Sequence, residues 1–211
     1  MFIFCLLAVA FAEKAFLLSG DSEYTKIDVV VASVTLDNAI YLKYDENTCL
    51  YFGSTETNKY IKEGDKVKYL KYENDKCDGE PTENKDVTSQ MLSKYTDVPK
   101  HSGFQSYIKD DDKCSHEKMT PRVYYKDGCN KIEVSVVGLK SSKYVKFSEN
   151  EKKFYFTVYD DEKCETIYKV GSTEVKKDLF ECDICKNGIK YQCGAFSTMI
   201  LALLVLLAFL F

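Results

Sequence analysis

The sequence contains no tryptophan, only three prolines and only two histidines among its 211 residues. It also lacks the G-x-S-x-G elbow, the H-E-x-x-H zinc motif, the P-loop and the G-x-G-x-x-G dinucleotide loop. A Ser-His-Asp or Cys-His site would have to use His101 or His116, and both fall in predicted loops. We therefore expect a protein that is not an enzyme and needs no cofactor or metal, with a hydrolase of the secretory pathway as the weakest alternative.

A concentrated basic face is missing as well. The 29 lysines and arginines are interleaved with 33 aspartates and glutamates, and the net charge is −4. Proteins that bind nucleic acid neutralise phosphates with clustered basic side chains, so this composition argues against a nucleic-acid partner. It is typical of an ordinary solvated surface.

Charged side chains are absent from the N-terminal end of the chain. Residues 1–12 form a short apolar run that ends in Ala10-Phe11-Ala12, and charge begins at Glu13. A small-x-small pattern after an apolar run is typical of a signal-peptidase site. We interpret 1–12 as a secretory signal peptide. The alternative, a buried N-terminal strand, would normally alternate with polar residues.

The C-terminal stretch 194–211 is likewise uncharged and stays apolar to its last residue. No lysine or arginine follows it, whereas a stable single span usually has basic residues on the cytoplasmic side. A tail that is removed when a glycosylphosphatidylinositol (GPI) lipid is attached needs no such flank, so a lipid anchor is favoured over a transmembrane helix. Gly194 is the candidate attachment residue, because attachment at Asn187-Gly188 would discard Cys193. The predicted location is the outer leaflet of the plasma membrane.

Nine cysteines are present, and Cys5 belongs to the predicted signal peptide. An even number of cysteines in a secreted chain indicates disulfides, here four, although the spacing does not fix the pairing. Cys182-Asp183-Ile184-Cys185 also fits a zinc or thioredoxin-type motif, but neither a second such pair nor a βαβ pattern accompanies it. The predicted disulfide cysteines are Cys49, Cys77, Cys114, Cys129, Cys164, Cys182, Cys185 and Cys193.

A short unit recurs along the body of the chain. Tyr44-Asp45-Glu46-Asn47-Thr48-Cys49 matches 72–77 and 159–164, and partial copies precede two further cysteines. Alternating apolar residues before three copies predict a strand, an acidic turn and a cysteine at the start of the returning strand. The repeats favour a division of the body of the chain into two related units near residue 100.

That division gives a first β unit at 13–100 and a second at 101–193. If the two units are equivalent, Cys49–Cys77 and Cys129–Cys164 are analogous disulfides. The hydrophobic pattern predicts an antiparallel, sandwich-like all-β ectodomain. Further predicted strands are 26–36, 131–137, 154–159, 167–170 and 189–192, and the one predicted short helix lies within 86–94.

The acidic runs Asp110-Asp111-Asp112 and Asp160-Asp161-Glu162 allow other interpretations. Several carboxylates suit Ca²⁺, but neither run has the EF-hand spacing, so solvated turns are favoured. An acidic rim that faces a basic partner is a further hypothesis. A third interpretation is sugar stacking on the tyrosines that stand before acidic or asparagine residues, namely Tyr44, Tyr72 and Tyr159. Aromatic rings are more often buried for packing, however.

The short leader 1–12, the repeated tyrosine-acidic-cysteine units and the apolar tail together resemble cysteine- and tyrosine-rich secreted or lipid-anchored surface proteins of amoeboid protists. The resemblance implies a surface location and carries over no activity or residue role. We expect a cell-surface binding or adhesion protein. Its expected partners are a membrane, through the C-terminal anchor, and an extracellular protein or glycan. A structural coat protein without a specific ligand is the alternative.

Overall fold

Antiparallel strands dominate the computed structural model, which describes residues 14–18, 25–51, 55–107, 114 and 122–194. The predicted all-β, disulfide-braced fold is confirmed. The predicted signal peptide and residues 195–211 of the predicted anchor lie outside the described residues. The strands are β1 (Lys14–Leu18), β2 (Lys26–Val29), β3 (Ala32–Thr35), β4 (Ile40–Tyr44), β5 (Leu50–Tyr51), β6 (Thr57–Glu63), β7 (Lys66–Tyr72), β8 (Glu83–Asp86), β9 (Tyr95–Asp97), β10 (His101–Tyr107), β11 (Arg122–Lys126), β12 (Asn130–Val136), β13 (Leu139–Asn150), β14 (Lys153–Tyr159), β15 (Lys169–Val170), β16 (Thr173–Glu174), β17 (Lys176–Glu181), β18 (Ile184–Lys186) and β19 (Ile189–Cys193).

Three sheets carry the fold, together with the small β15–β16 hairpin. The first sheet has the order β18-β19-β10-β11-β4-β1-β9, the second β17-β14-β13-β12-β3-β2, and the third β5-β6-β7-β8. Strands from both sides of residue 100 pair directly, as in β4 with β11 and β3 with β12. The sequence units 13–100 and 101–193 therefore share both large sheets, and their origin by duplication stays a prediction.

The main core lies between the first and second sheets. Alternate residues of β11, Val123 and Tyr125, face it from the first sheet, because successive side chains of a strand point to opposite faces. From the second sheet, β14 contributes Phe154, Phe156 and Val158, all fully buried. Two sheets that share one apolar layer form a sandwich. The alternation of apolar residues at 154–159 is therefore explained by the burial of one face of β14 in this layer.

A second core joins the third sheet to β1 and β4. Phe16, Tyr44, Leu50, Val67 and Met91 form it. Met91 comes from helix α1 (Thr88–Met91), which a 3₁₀ turn (Leu92–Lys94) continues, so the short helix predicted within 86–94 is confirmed.

The prediction of one continuous strand at 26–36 is wrong, because the segment forms a hairpin. The structure divides it into β2 and β3, which pair in register from Lys26↔Thr35 to Val29↔Ala32, with Val30 and Val31 in the turn. The run Val29-Val30-Val31 carries no glycine, proline or asparagine to indicate a turn, and β-branched residues favour strands. The predicted strands 131–137, 154–159 and 189–192 correspond to β12, β14 and β19.

The eight predicted cysteines form four disulfides. Cys49–Cys77 and Cys129–Cys164 are bonded, as the repeat indicates. The C-x-x-C cysteines separate, because Cys182 pairs with Cys193 and Cys185 with Cys114. That pairing leaves no dithiol for redox chemistry or for zinc at this motif. Four disulfides indicate a secreted or extracellular protein.

Candidate functional site

The acidic run at 160–162 is a hydrogen-bonded turn. The carboxylate of Asp161 accepts the backbone N–H groups of Thr166 (2.7 Å), Lys163 (3.0 Å) and Glu165 (3.3 Å). These bonds lower the pKa of Asp161, and the bond from Thr166 has the largest effect. The turn interpretation accounts for this carboxylate without a metal ion. The run Asp110-Asp111-Asp112 lies outside the described residues.

The repeat at 72–77 has a related turn. Asn74 stands two residues after its tyrosine, as Asp161 does, and its side-chain oxygen accepts the N–H of Lys76 (3.0 Å). In both copies the closing cysteine has a left-handed backbone, with φ of 51° at Cys77 and 54° at Cys164. The shared residues therefore specify a turn that presents a cysteine for a disulfide.

We expect Asp161→Ala to lower the melting temperature by a few degrees at neutral pH, because three backbone N–H groups lose their acceptor. The folded-state pKa lies below the ordinary value of about 4, so the carboxylate stabilises the fold above that pH. This contribution is lost as the pH falls through the folded-state pKa. Thermal unfolding from pH 7 to pH 3 should therefore show the gap between wild type and variant shrinking. Glu162→Ala is the matched control, and an equal effect there would refute the assignment.

Two tyrosines considered for sugar stacking are core residues. Tyr72 is 3% exposed and Tyr44 is 7% exposed. The Tyr44 ring lies edge-on to Tyr60 at 5.6 Å. Neither ring offers a face to a ligand, so the packing interpretation holds for both. Tyr159 is half-buried at the end of β14.

The remaining candidates from the sequence do not converge on one pocket. His101 packs edge-on against Tyr124, with ring centroids 4.6 Å apart, and His116 lies outside the described residues. In the described ranges, one group of potential metal ligands comes together: Glu149, Cys182 and Cys193. The two sulfur atoms are bonded to each other, so they cannot bind a metal as thiolates.

A pair of apolar hairpin turns at one end of the second sheet is the strongest candidate site. Val30 in the β2–β3 turn is 100% exposed. Val137 in the β12–β13 turn is 97% exposed, and Leu139, the first residue of β13, is 79% exposed. The register Ser135↔Ser33 places the two turns side by side, with a shallow groove of about 410 Å³ between them. We call residues 29–31 and 136–139 the valine tips. Sequence reasoning missed them because it placed both segments within or at the end of strands.

The backbone at Val137 adds a second observation. Val137 has φ of 49° and Gly138 has φ of 79°, so a β-branched residue occupies a left-handed position. Such a position costs about 1–3 kcal/mol, and asparagine is the residue that two-residue hairpins favour there. Glu151 and Lys152 occupy left-handed positions in the turn at the other end of β13, and both are polar. Folding alone therefore does not require an exposed valine at position 137.

The β12–β13 part of the valine tips lies at the opposite end of strand β13 from the turn that is connected to Gly194. Cys193 is bonded to Cys182, whose N–H donates to the carbonyl of Lys152 in the β13–β14 turn. Strand β13 runs from Leu139 at the tips to Asn150 beside that turn. Twelve extended residues span roughly 35 Å. Gly194, the last residue described, is exposed and donates its N–H to the carbonyl of Ser102 (2.7 Å).

Comparison with protein-family models, with curated proteins and with solved structures gives no significant match. Among the described residues, no helix is long and apolar enough to cross a membrane.

Proposed function

We propose that this chain is a non-enzymatic extracellular adhesion protein that is tethered to its own cell through the C-terminal region and contacts an opposing surface with the valine tips. One observation carries the proposal. The exposed β12–β13 turn lies at one end of strand β13, which is roughly 35 Å long, and at the other end lies the turn that Cys182 contacts, Cys182 being disulfide-bonded to the neighbour of Gly194. In the proposed arrangement a lipid at or near Gly194 holds one end at the outer leaflet and leaves the tips facing outward.

The chemistry of the tips favours a lipid bilayer as the opposing surface. Their protruding side chains, Val30, Val137 and Leu139, are aliphatic, whereas protein hot spots are enriched in tryptophan, tyrosine and arginine. A stable protein interface buries about 800 Å² per partner, far more than three aliphatic side chains supply. Valine and leucine partition favourably into hydrocarbon. A bilayer surrounds a protruding side chain without needing a matching pocket.

The surrounding charges indicate a zwitterionic rather than an anionic membrane. Lys140, next to Leu139, is paired with Glu133 at 2.8 Å. Lys177 donates to the backbone carbonyl of Asp28 at 2.8 Å, and the carboxylate of Asp28 accepts from the hydroxyl of Ser33, so the other turn also carries one residue of each charge. Opposite charges in such proximity give no net attraction to anionic headgroups.

The expected affinity of one molecule is low. Burial of three aliphatic side chains contributes on the order of 5 kcal/mol, comparable to one myristoyl chain. Many tethered copies facing the same surface raise the effective affinity without any new contact. Weak, multivalent contacts of this kind suit reversible adhesion.

The test uses cells that display the full chain and fluorescent phosphatidylcholine vesicles as the probe. We expect the triple variant Val30→Ser, Val137→Asn and Leu139→Thr to bind vesicles at least tenfold more weakly at equal surface level. Its melting temperature should not fall, because asparagine relieves the backbone strain at position 137. Phosphatidylinositol-specific phospholipase should release the wild-type chain and abolish vesicle binding to the cells.

Glu151→Ser with Lys152→Asn, in the polar turn at the other end of β13, is the matched control and should bind vesicles like wild type. Equal vesicle binding by the tip variant would refute the valine tips as the contact. Cell–cell adhesion that needs the tips but occurs without vesicle binding would indicate a protein partner and refute the bilayer. Retention of the chain after phospholipase treatment would contradict the lipid anchor, and a surface coat without vesicle binding or adhesion would contradict the function.

A further inference from the structure

A groove of about 330 Å³ lies between β17 and the β18–β19 hairpin, away from the valine tips. Its volume falls at the lower end of the range for small-ligand sites, about 300–1,000 Å³. Phe180, Ile184 and Tyr191 supply apolar surface. Charged side chains of β14, β17 and β18 complete the lining. The pairing of Lys153 with Glu181 places the groove near the β13–β14 turn, so the groove and the valine tips can be tested separately.

The aromatic wall of the groove is fixed by a stack of rings that begins in the core. Phe154 is fully buried and stacks on Phe180 at 4.7 Å, and Phe180 stacks on Tyr191 at 4.7 Å. A ring held in this way loses little conformational freedom when a ligand packs on it. Burial raises the pKa of Tyr191, so its hydroxyl stays protonated at neutral pH.

The charged lining offers free hydrogen-bonding groups. Lys153 and Asp178 are paired with each other at 3.5 Å. The side chains of Glu181 and Lys186, both exposed, have no partner within the described parts of the chain. The groove thus presents one open acceptor and one open donor beside an aromatic wall, and its formal charges sum to zero.

Two disulfides hold the walls of the groove in place. Cys182–Cys193 connects the end of β17 to the end of β19, and Cys114–Cys185 adds a covalent link to β18. A site on braced strands is formed before its ligand arrives, which reduces the entropic cost of binding.

We infer that this groove binds a neutral pyranose sugar, with Tyr191, at the end of the ring stack, receiving the C–H face of the sugar ring while Glu181 and Lys186 bind its hydroxyls. A pyranose combines an apolar face with a rim of hydroxyl donors and acceptors, and the groove offers the complement of both. The balanced charge of the groove favours neutral over sialylated or sulfated sugars, because neither sign of ligand charge gains a net attraction. The inference goes beyond the proposed function and does not depend on it.

The test measures binding of the detergent-solubilised full chain to an array of glucose, galactose, mannose and N-acetylglucosamine oligosaccharides, with sialylated and sulfated glycans alongside. We expect wild type to bind at least one neutral oligosaccharide. Tyr191→Ala should weaken that binding about tenfold, since it removes the ring on which the sugar packs and the apolar area buried there. Tyr191→Phe should stay within about threefold of wild type because it keeps the ring.

Glu181→Gln tests the same groove with an exposed side chain whose replacement leaves the fold intact, and we expect about threefold to tenfold weaker binding. Tyr144→Ala on β13 is the aromatic control, and it should bind like wild type, as should the valine-tip variant. The absence of binding to every neutral glycan would overturn the inference. So would a preference for charged glycans, or unchanged binding by both Tyr191→Ala and Glu181→Gln.

Discussion

Replacing both Cys129 and Cys164 with serine is expected to lower the free energy of unfolding by about 4 kcal/mol. The disulfide closes a loop between residues 35 positions apart, and its loss restores conformational freedom to the unfolded chain. It also joins the residue before β12 to the turn after β14, the two strands that flank β13. The second sheet, which carries both the valine tips and part of the groove, therefore loses its main covalent constraint.

The measurement is denaturant unfolding followed by far-UV circular dichroism, since the chain has no tryptophan to report on unfolding. Both cysteines are replaced together because a single replacement leaves a reactive thiol. Cys49→Ser with Cys77→Ser is the comparison, with a 28-residue separation and an expected loss of similar size. A loss below about 1 kcal/mol for the Cys129–Cys164 pair would show that strand pairing alone holds the second sheet.

Local signals in the sequence were sufficient for several features of the fold. The alternation at 154–159 follows directly from one buried face of β14, and the acidic turns reflect side chains that bond nearby backbone groups. The repeated cysteine at the end of each turn also indicated Cys49–Cys77 and Cys129–Cys164. The strand alternation and the turns depend on residues close together in the sequence, and the two disulfides were indicated by the repetition of such a local unit.

Features that depend on distant residues were not predictable. Strand β4 pairs with β11 across some eighty positions, and no local pattern encodes that choice. The groove needs rings from β17 and β19 to meet, although Phe180 and Tyr191 stand in ordinary strand patterns. The valine tips were not predicted for another reason. Exposed valines in a turn contradict the residue propensities from which turns are recognised.

Phe154→Ala is expected to lower the free energy of unfolding by about 4 kcal/mol. The ring is fully buried and lies against Tyr125, Phe147 and Phe180, with centroids 5.2, 5.9 and 4.7 Å away. A Cβ on Gly103 would come within 2.9 Å of the Phe154 ring, so the first sheet is already in close contact there. The surrounding strands cannot easily collapse into the space that alanine would leave.

Tyr155→Ala, one residue along β14 and half-buried, is the stability control and should cost about 1 kcal/mol in the same denaturant titration. Equal losses for the two variants would refute the central place of Phe154 in the core. Phe154→Leu separates packing from stacking, because it retains an apolar side chain but removes the ring that supports Phe180 and Tyr191. It should weaken sugar binding at the groove, whereas Val67→Ala in the second core should lower stability and leave that binding unchanged. Such a difference would show that Phe154 positions the groove through its ring and not through overall stability.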